Sequence, residues 1–375
     1  MMGDMDADNL NRNTVPSIAI NGRFLTQKTN GVQRFAIETV KAIDAHVGTD
    51  AYRALQRRIT IMAPPQARDF PTRNIPLRRV GFLSGYAWEQ LEFPLHARGQ
   101  TLLNLCMLGP LVTRRQVVVV HDATVRAVPD NFSASFRAAY GFLMPRLCRR
   151  ADLTVTVSEF SRQEIGKWYG VDIDKIPICY EGGDHINATP ADTAVLDRLG
   201  LRGKNYLLGV GVVSINKNIN VLLQAFQRAN LGDTQLILTG QRNDSVHGHF
   251  AAIDSANVRT IGYVSDAELR TLYEHALALV YPSRYEGFGL PPLEAMNCGC
   301  PVIISDQPAL TEVAGDAALQ CGIDDVAALS RLMQDVNTDP ALRERLKRAG
   351  LERARRFTWS QTAKMLLDAC INLRA

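Results

Sequence analysis

The chain has 375 residues, of which 46% are hydrophobic and 21% are charged. This balance is typical of a folded globular protein and excludes a disordered or fibrous one. At roughly 100–200 residues per domain, the length predicts two domains. The formal charge of +4 is too small to indicate nucleic-acid binding, and we expect no nucleic-acid partner.

The positive charge is concentrated in the first half of the chain. Residues 51–150 contain fifteen Arg and five acidic residues, whereas residues 186–375 contain nineteen basic and twenty acidic residues. Two interpretations remain open: an ordinary solvated surface, or a basic first domain that faces an anionic partner.

Hydrophobic runs and cysteines restrict the class of protein further. No apolar run reaches the roughly 18 residues that a membrane-spanning helix requires. Residues 1–14 have no apolar segment like that of a signal peptide, and we expect them to form a disordered tail. Seven irregularly spaced Cys indicate neither a disulfide framework nor a zinc site. We therefore expect a cytoplasmic protein with no metal and no other cofactor.

Short β-rich runs alternate with amphipathic stretches in the first half, a pattern typical of βαβ units. The predicted strands are Ser17–Asn21, Ile59–Met62, Pro76–Val80, Leu102–Cys106, Val117–His121, Leu153–Ser158 and Ile176–Tyr180. The predicted helices are Val32–His46, Tyr86–Ala97, Ser133–Cys148 and Glu159–Tyr169.

Residues 181–199 are rich in Gly and polar residues and are predicted to be a linker, after which the alternation restarts. The further predicted strands are Tyr206–Gly211, Gln235–Thr239, Val258–Ile261, Leu277–Tyr281 and Val302–Ser305. The further predicted helices are Asn218–Arg228, Asp266–His275 and Pro291–Asn297, followed by three helices within residues 324–373.

This order predicts an α/β protein with two doubly wound, Rossmann-like domains. Ligands of such sheets bind beyond the carboxyl ends of the strands, so we expect a cleft between the domains. The expected boundaries are 15–187 for the first domain and 188–357 for the second, with residues 358–375 forming a helix that returns to the first domain.

A functional site is indicated most clearly by the segment from Tyr281 to Glu294, Y-P-S-R-Y-E-G-F-G-L-P-P-L-E. A strand ends at Tyr281, a glycine-bearing loop follows, and a Pro pair opens a helix. A helix N-terminus of this kind binds phosphate through its N–H groups and its dipole. Glu286 and Glu294 would repel a phosphate, and we expect them to accept hydrogen bonds from sugar hydroxyls.

The run E-G-F-G-L-P-P-L-E-A-M, followed by C-G-C-P-V-I-I-S, resembles the E-x7-E signature of the GT-B-fold, retaining glycosyltransferases of family 4. Shorter matches follow the family's order along nearly the whole chain. They are N-G-R-F at 21–24, N-G-V-Q-R at 30–34, W-E-Q at 88–90, H-D at 121–122, V-S-E-F-S at 157–161, K-N at 217–218 and G-Y-V at 262–264.

The resemblance implies a role for each matching residue. Glu286 would contact hydroxyls of the donor sugar, Glu294 would hold the ribose, and Lys217 would neutralise the diphosphate of the leaving nucleotide. His121 would lie beside the transferred sugar and is, with Glu286 and Lys217, a predicted catalytic residue. The remaining predicted donor-binding residues are Gly31, Gly211, Tyr263, Gly287, Phe288, Gly289 and Leu290.

Taken by themselves, several of these residues have a structural interpretation as well. Glu294 could satisfy the helix dipole, Lys217 could be an exposed helix start, and His121 could be an ordinary buried histidine at a strand end. Asp122 could orient the ring of His121 or cap the following turn. Arg34 could reach an anionic acceptor or the leaving phosphate, or remain an exposed helix residue.

One position departs from the family pattern. The family often places an Arg after the glycine that corresponds to Gly211, and this chain has Val212 there. Either Arg242 or Arg284 supplies a second cation, or Lys217 and helix N–H groups hold the diphosphate alone.

These features predict transfer of a hexose from a nucleotide diphosphate sugar to an acceptor hydroxyl, with retention and without metal. GDP-mannose is the preferred donor, and UDP-glucose or another UDP-hexose is the alternative. We expect a saccharide acceptor carried on a polyprenyl diphosphate. Arg137, Arg146, Arg149 and Arg150 flank an apolar run at 142–144, so the helix could lie on the anionic inner face of the cytoplasmic membrane or simply pack on the sheet.

Other functions have weaker support. The D-x-D at 172–174 and the H-G-H at 247–249 could suggest metal, but the first sits in a polar loop and the second lacks a third ligand. A partial G-x-G-x-x-G at 209–214 would suit a nicotinamide-dependent dehydrogenase, which leaves the two Glu unexplained. A non-catalytic nucleotide-sugar-binding subunit is the third alternative, because of Val212.

Overall fold

The computed structural model describes residues 15–211, 215–240 and 257–373. The strands are β1 Ile18–Asn21, β2 Ile59–Ala63, β3 Leu77–Arg79, β4 Thr101–Asn104, β5 Gln116–Val119, β6 Leu153–Val155, β7 Tyr206–Val210, β8 Gln235–Thr239, β9 Val258–Gly262, β10 Ala278–Tyr281, β11 Val302–Ser305 and β12 Leu319–Cys321. Four features discussed above lie outside the described residues: the predicted tail at 1–14, Val212, Arg242 and the H-G-H at 247–249.

The helices alternate with these strands along the chain. They are α1 Gly31–Val47, α2 Gly85–Ala87, α3 Phe93–His96, α4 Thr124–Ala127, α5 Ala134–Arg150, α6 Glu159–Tyr169, α7 His185–Ala188, α8 Ala194–Arg198, α9 Ile219–Ala229, α10 Asp266–His275, α11 Leu290–Asn297, α12 Pro308–Ala314, α13 Val326–Thr338, α14 Pro340–Ala354 and α15 Trp359–Asn372. A π-helical turn, Trp88–Glu92, joins α2 to α3.

The chain divides into two compact units. The first holds the chain up to Arg126, Phe132–Gly182 and the segment from Trp359 onward, and the second holds Ala127–Asn131 and Gly183–Thr358. The C-terminal helix α15 therefore belongs to the first unit, where the ring of its first residue, Trp359, meets that of Phe35 edge to face at 5.7 Å.

Each unit contains one parallel six-stranded sheet in the described residues. The order is β3-β2-β1-β4-β5-β6 in the first and β12-β11-β10-β7-β8-β9 in the second. In both sheets the strand order reverses next to the first strand of the unit, β1 or β7. Ligands of doubly wound sheets bind at this reversal, beyond the carboxyl ends of the strands. The reversal lies between β7 and β10 in the second unit.

Side-chain caps fix the first residues of helices α1 and α10. Asn30 accepts hydrogen bonds from the backbone N–H groups of Val32 and Gln33 at the start of α1. Ser265 and Glu268 form a capping box at the start of α10. Such side-chain acceptors satisfy N–H groups that have no partner inside the helix.

Three predicted segments are wrong in part. Residues 176–180 form no strand, only an isolated bridge between Thr156 and Ile178, because Pro177 has no N–H to continue a ladder. The predicted helix 86–97 is interrupted by the π-helical turn, since Pro94 cannot donate to the carbonyl four residues earlier. The predicted linker at 181–199 contains the short helices α7 and α8.

Candidate functional site

The loop from β10 to α11 carries the first Glu of the predicted signature. Its last residue, Gly289, has φ +118°, and a Cβ there would lie 2.8 Å from Cδ2 of Leu310. Only glycine fits this conformation and this space without displacing a neighbour. Helix α11 begins directly afterwards at Leu290, with Pro in its first turn. Sequence and packing therefore place an open helix N-terminus beside the carboxyl end of β10.

Glu286 lies in this loop as an acceptor for three donors. Its Oε1 accepts hydrogen bonds from Ser283 Oγ at 2.6 Å, from Lys217 Nζ at 2.6 Å and from the Tyr281 hydroxyl at 3.1 Å. Its backbone carbonyl accepts a bond from Gln307 Nε2 at 3.3 Å. Among the residues with described positions, no donor reaches Oε2. One carboxylate oxygen is thus fixed, and the other can accept a further hydrogen bond.

Lys217 contacts Glu286 across the reversal of strand order, because Lys217 follows β7 and Glu286 follows β10. It ends a turn, Ile215–Lys217, that follows β7, and its Nζ lies 4.5 Å from the ring centroid of Tyr281. It also contacts the Tyr281 hydroxyl. Gly211 has φ +73°, and a Cβ there would lie 3.4 Å from Cε of Lys217. The structure therefore brings predicted residues Gly211, Lys217 and Glu286 together at the carboxyl edge of the sheet.

Tyr281 completes this cluster, and it was not predicted as a functional residue. Burial, and then the neighbouring charge of Glu286, raise the pKa of Tyr281 well above its usual value of 10. The phenol therefore stays protonated and donates a hydrogen bond to the carboxylate of Glu286. The ammonium of Lys217 lies against the ring and the oxygen of Tyr281. Ser283 and Tyr281 flank Pro282 in the segment that carries the motif. Their spacing from Glu286 is the sequence signal from which their role could have been predicted.

Glu294, the second Glu of the signature, lies on α11 with only 7% of its surface exposed. Its Oε1 lies 3.1 Å from His185 Nε2, and its Oε2 accepts a hydrogen bond from the Tyr273 hydroxyl at 3.2 Å. His185 and Tyr273 come from α7 and α10, and no periodic pattern in the sequence pointed to either. Glu294 is therefore held by two side chains that sequence reasoning missed, and Glu286 by two such side chains together with the predicted Lys217.

The other predicted donor-binding residues of the second unit lie in different settings. Phe288 is buried, and its ring meets that of Phe357 edge to face at 5.9 Å. Leu290 is buried at the start of α11. Tyr263, by contrast, is 67% exposed and contacts neither Lys217 nor Glu286 within the described ranges. It follows Gly262, whose φ of +71° turns the chain at the end of β9.

Arg284 was one candidate for the missing second cation. Its Nε donates to Asn218 Oδ1 at 3.0 Å, and its Nη1 donates to Asp324 Oδ2 at 2.9 Å. The guanidinium is thus bound within the unit, next to the residue that follows Lys217. Arg242, the other candidate, is outside the described residues.

His121 follows β5 in the first unit and is 4% exposed. Its Nδ1 lies 3.3 Å from Glu181 Oε1, and its Nε2 lies 2.9 Å from the carbonyl oxygen of Leu105. Burial alone would lower the pKa of His121, but the hydrogen bond and charge of Glu181, with the Leu105 carbonyl, raise it above 6.5. Both ring nitrogens thus face acceptor oxygens, one of Glu181 and one of the Leu105 backbone.

Asp122, Arg34 and Gly31 occupy the same unit. Asp122 Oδ1 accepts from the backbone N–H of Thr124 at 2.8 Å and so caps the following turn. Arg34 Nη1 lies 3.4 Å from Glu38 Oε1 on the next turn of α1. Gly31 begins that helix, and no described atom lies within 4 Å of where its Cβ would be. The start of α1 therefore leaves space above the helix.

Two further motifs of the resemblance meet in a buried network at the end of β1. Asn21 Nδ2 donates to Glu89 Oε1 at 2.8 Å and to Asn104 Oδ1 at 3.0 Å. Arg23 Nε lies 2.9 Å from the same oxygen of Glu89. The N-G-R and W-E-Q motifs thus hold each other in place, although 66 residues separate Arg23 and Glu89 in the chain.

In the part of the chain that is described, no group of three or more His, Cys, Asp and Glu side chains is arranged to hold a metal ion. Asp172 of the D-x-D caps the turn Ile173–Lys175 through the N–H of Asp174. All seven cysteines are free thiols. None of the helices in this part is long and apolar enough to cross a membrane.

The buried pair of His121 and Glu181 predicts a pH dependence of stability. Because the folded state raises the pKa of His121, its stabilising contribution is complete below about pH 6.5 and is lost as the pH rises through the folded pKa. We expect the free energy of unfolding to fall as the pH rises above about 6.5. Urea titrations at each pH measure it.

Glu181→Gln should remove this fall, because burial then lowers the pKa of the imidazole. His96→Gln, which replaces an exposed histidine of the same unit, is the control and should keep the wild-type profile. An identical pH profile in wild type and Glu181→Gln would contradict the assignment.

Comparison with known proteins places these features in one family. Residues 197–353 match the model described as glycosyl transferases group 1. O-antigen chain mannosyltransferase B of Escherichia coli is 35% identical over 265 residues, which are 68% of this chain and 70% of that protein. O-antigen chain mannosyltransferase RfbU of Salmonella typhimurium is 31% identical over 230 residues, 60% of this chain and 62% of that protein.

Among solved structures, Anabaena Alr3699/HepE in complex with UDP and glucose superposes with a TM-score of 0.70 at 17% identity, over 94% of this chain and 99% of that one. This likeness concerns the fold and confirms the α/β architecture of GT-B type, with a parallel sheet in each unit. On the evidence of its relatives and of the matched family model, the chain is a glycosyltransferase and belongs to the glycosyl transferases group 1.

Proposed function

We propose that this protein is a retaining mannosyltransferase that moves mannose from GDP-mannose to a hydroxyl of a saccharide acceptor in polysaccharide biosynthesis. The single observation that carries this proposal is the contact between Lys217 and Glu286 beside the N-terminus of α11. A cation, a carboxylate and open helix N–H groups are the three groups that a nucleotide diphosphate sugar requires at one place.

Lys217 supplies the charge that stabilises the leaving group. The ammonium is mostly buried, so its attraction to a diphosphate is stronger than it would be in water. Before the donor binds, Glu286 and Tyr281 hold it at the edge of the sheet. When the diphosphate binds, Lys217 turns to it, while Ser283 and Tyr281 continue to donate to Glu286.

The two Glu then bind the two sugars of the donor. Glu286 keeps Oε2 for a hydroxyl of the hexose, and Glu294 accepts from the ribose. Backbone N–H groups of Gly289 and Leu290, at the start of α11, face the phosphates. Phe288, Gly287 and Gly211 shape the same edge of the sheet. Tyr263 contributes through its backbone beside the base, in keeping with its exposed side chain.

No carboxylate in this arrangement is assigned as a nucleophile. The bond between the anomeric carbon and the phosphate oxygen breaks, and a bond to the acceptor oxygen forms on the same face. The proton of the acceptor hydroxyl passes to the departing phosphate oxygen, so atoms and charge balance without a metal. The protein's contribution is positioning and charge stabilisation.

The first unit receives the acceptor in this proposal. His121 lies at the end of β5 beside Glu181, and Arg34 and Gly31 lie at the start of α1, where there is open space. The names of two relatives, both O-antigen chain mannosyltransferases, support mannose as the sugar. The structural likeness to a protein solved with UDP and glucose supports a UDP-hexose as the second candidate.

Replacing either charged partner should remove transfer. We expect Glu286→Ala and Lys217→Ala each to lower kcat/KM with GDP-mannose by about 10²–10³-fold, because each removes charge stabilisation from the leaving group or the sugar. Lys204→Ala, at an exposed lysine of the same unit, is the matched control and should be as active as wild type.

Initial rates of mannosyl transfer, with UDP-glucose as the parallel donor, measure the effect. Unchanged activity in both Glu286→Ala and Lys217→Ala would refute the proposed site. Faster transfer from UDP-glucose than from GDP-mannose would refute the proposed donor and leave the site intact.

We further propose that the acceptor is linked to a polyprenyl diphosphate and that the protein works in the cytoplasm, at the anionic inner face of the membrane. Helix α5 supports this. Met144, Leu147 and Cys148 are buried, whereas Phe142 is 54% exposed, with the guanidinium of Arg146 stacked 3.6 Å over its ring. An exposed aromatic among Arg side chains is suited to an anionic lipid surface. The free thiols are consistent with a reducing compartment.

Co-sedimentation with vesicles tests the membrane proposal. Wild type should bind vesicles containing an anionic lipid more than neutral vesicles, and Phe142→Ser combined with Arg146→Glu should abolish the difference. Trp168→Ser combined with Lys167→Glu alters a similar exposed pair on α6 and is the control. Equal, negligible binding of wild type to both kinds of vesicle would contradict the proposal.

A further inference from the structure

We propose that His185 is a positioning residue for nucleotide binding, which holds the carboxylate of Glu294 in the orientation that the ribose hydroxyls require. This inference rests on the proposed role of Glu294 in the donor site. It adds a residue outside the E-x7-E signature, contributed by the short helix at the start of the second unit.

The contact between the two side chains has a defined direction. His185 Nε2 and Glu294 Oε1 are 3.1 Å apart, and both side chains are buried. An ionised carboxylate only accepts hydrogen bonds, so Nε2 carries the proton and donates it. A buried carboxylate oxygen that loses its donor is costly, and the side chain then adopts another orientation.

Tyr273 holds the other oxygen of the same carboxylate. Its hydroxyl donates to Oε2 at 3.2 Å. Burial, and then the charge of Glu294, raise the pKa of Tyr273 well above 10, so it remains a donor. Each oxygen of a carboxylate has two acceptor positions. With one donor from the protein on each oxygen, one position on each is left for a ribose hydroxyl.

The backbone keeps His185 in register with the helix that bears Glu294. A Cβ on Gly183 would lie 2.5 Å from Cγ of Leu293, so the chain passes directly over α11. Asn187 Nδ2 donates to Asn297 Oδ1 at 3.2 Å, at the other end of the same contact. The segment Gly183–Asn187 is thus fixed on α11 at both ends, with His185 between them.

Ribose recognition gives this proposal a direct measurement. Calorimetry would compare a nucleoside diphosphate with its 2′,3′-dideoxy form, using whichever of GDP and UDP binds wild type more tightly. The affinity ratio of the two ligands reports the contribution of the ribose hydroxyls. Because the ribose hydroxyls would donate hydrogen bonds to the charged carboxylate of Glu294, we expect wild type to prefer the ribose form by about 10–100-fold.

His185→Ala should bring this ratio close to one while the protein remains folded. His185→Gln, whose amide can donate from nearly the same position as Nε2, should keep most of it. His275→Ala, at an exposed histidine on α10, is the matched control and should keep the wild-type ratio. If His185→Ala does not fold, His185→Asn takes its place, because its shorter amide cannot reach Oε1.

Glu294→Ala separates the two levels of the proposal. If it keeps the wild-type ratio, Glu294 does not bind ribose and the proposed donor site is wrong. If Glu294→Ala removes the preference but His185→Ala retains all of it, the donor site stands and the positioning role of His185 is overturned. A purely structural role would lower the thermal stability of His185→Ala and leave the ratio unchanged.

Discussion

The contact between Lys217 and Glu286 is the interaction on which the proposed donor site of the second unit depends. It joins the turn after β7 to the loop after β10, which are neighbouring strands at the reversal of the sheet. Removing two charges from water is expensive, so the pair persists only with additional hydrogen bonds. Tyr281 and Ser283 supply these bonds to Glu286, and the left-handed Gly289 then allows α11 to begin beside it.

The same arrangement recurs in the described part of the chain. Glu286, Glu294 and Glu181 are each buried or nearly so, and each contacts a cationic or imidazole side chain that comes from a distant part of the chain. Tyr281 and Tyr273 add phenol donors to two of them. In the proposed reaction this order matters because Glu286 and Glu294 are already aligned for the two sugars, and only Lys217 has to move when the donor binds.

Local sequence patterns predicted much of the fold and the backbone of the site. The Pro pair and the glycine loop indicated a helix at 291–297, and the structure begins it one residue earlier, at Leu290. The alternation of strands and helices predicted every described strand of both sheets except β12, and it was wrong at Pro177 and at the π-helical turn. The partners of the site were not predictable in this way. His185 and Glu294 are 109 residues apart, and nothing periodic relates them. Likewise, the position of His121 at a strand end was predicted, but its contacts with Glu181 and Leu105 depend on tertiary packing.

A crystal structure of the protein with GDP tests the central claim most directly. In that complex, Lys217 Nζ should leave Glu286 Oε1 and contact a phosphate oxygen at about 2.7–2.9 Å, the distance of a charge-assisted hydrogen bond. Tyr281 and Ser283 should stay on Glu286, and the ribose should lie on Glu294. A nucleotide bound elsewhere, with Lys217 still paired to Glu286, would contradict the account.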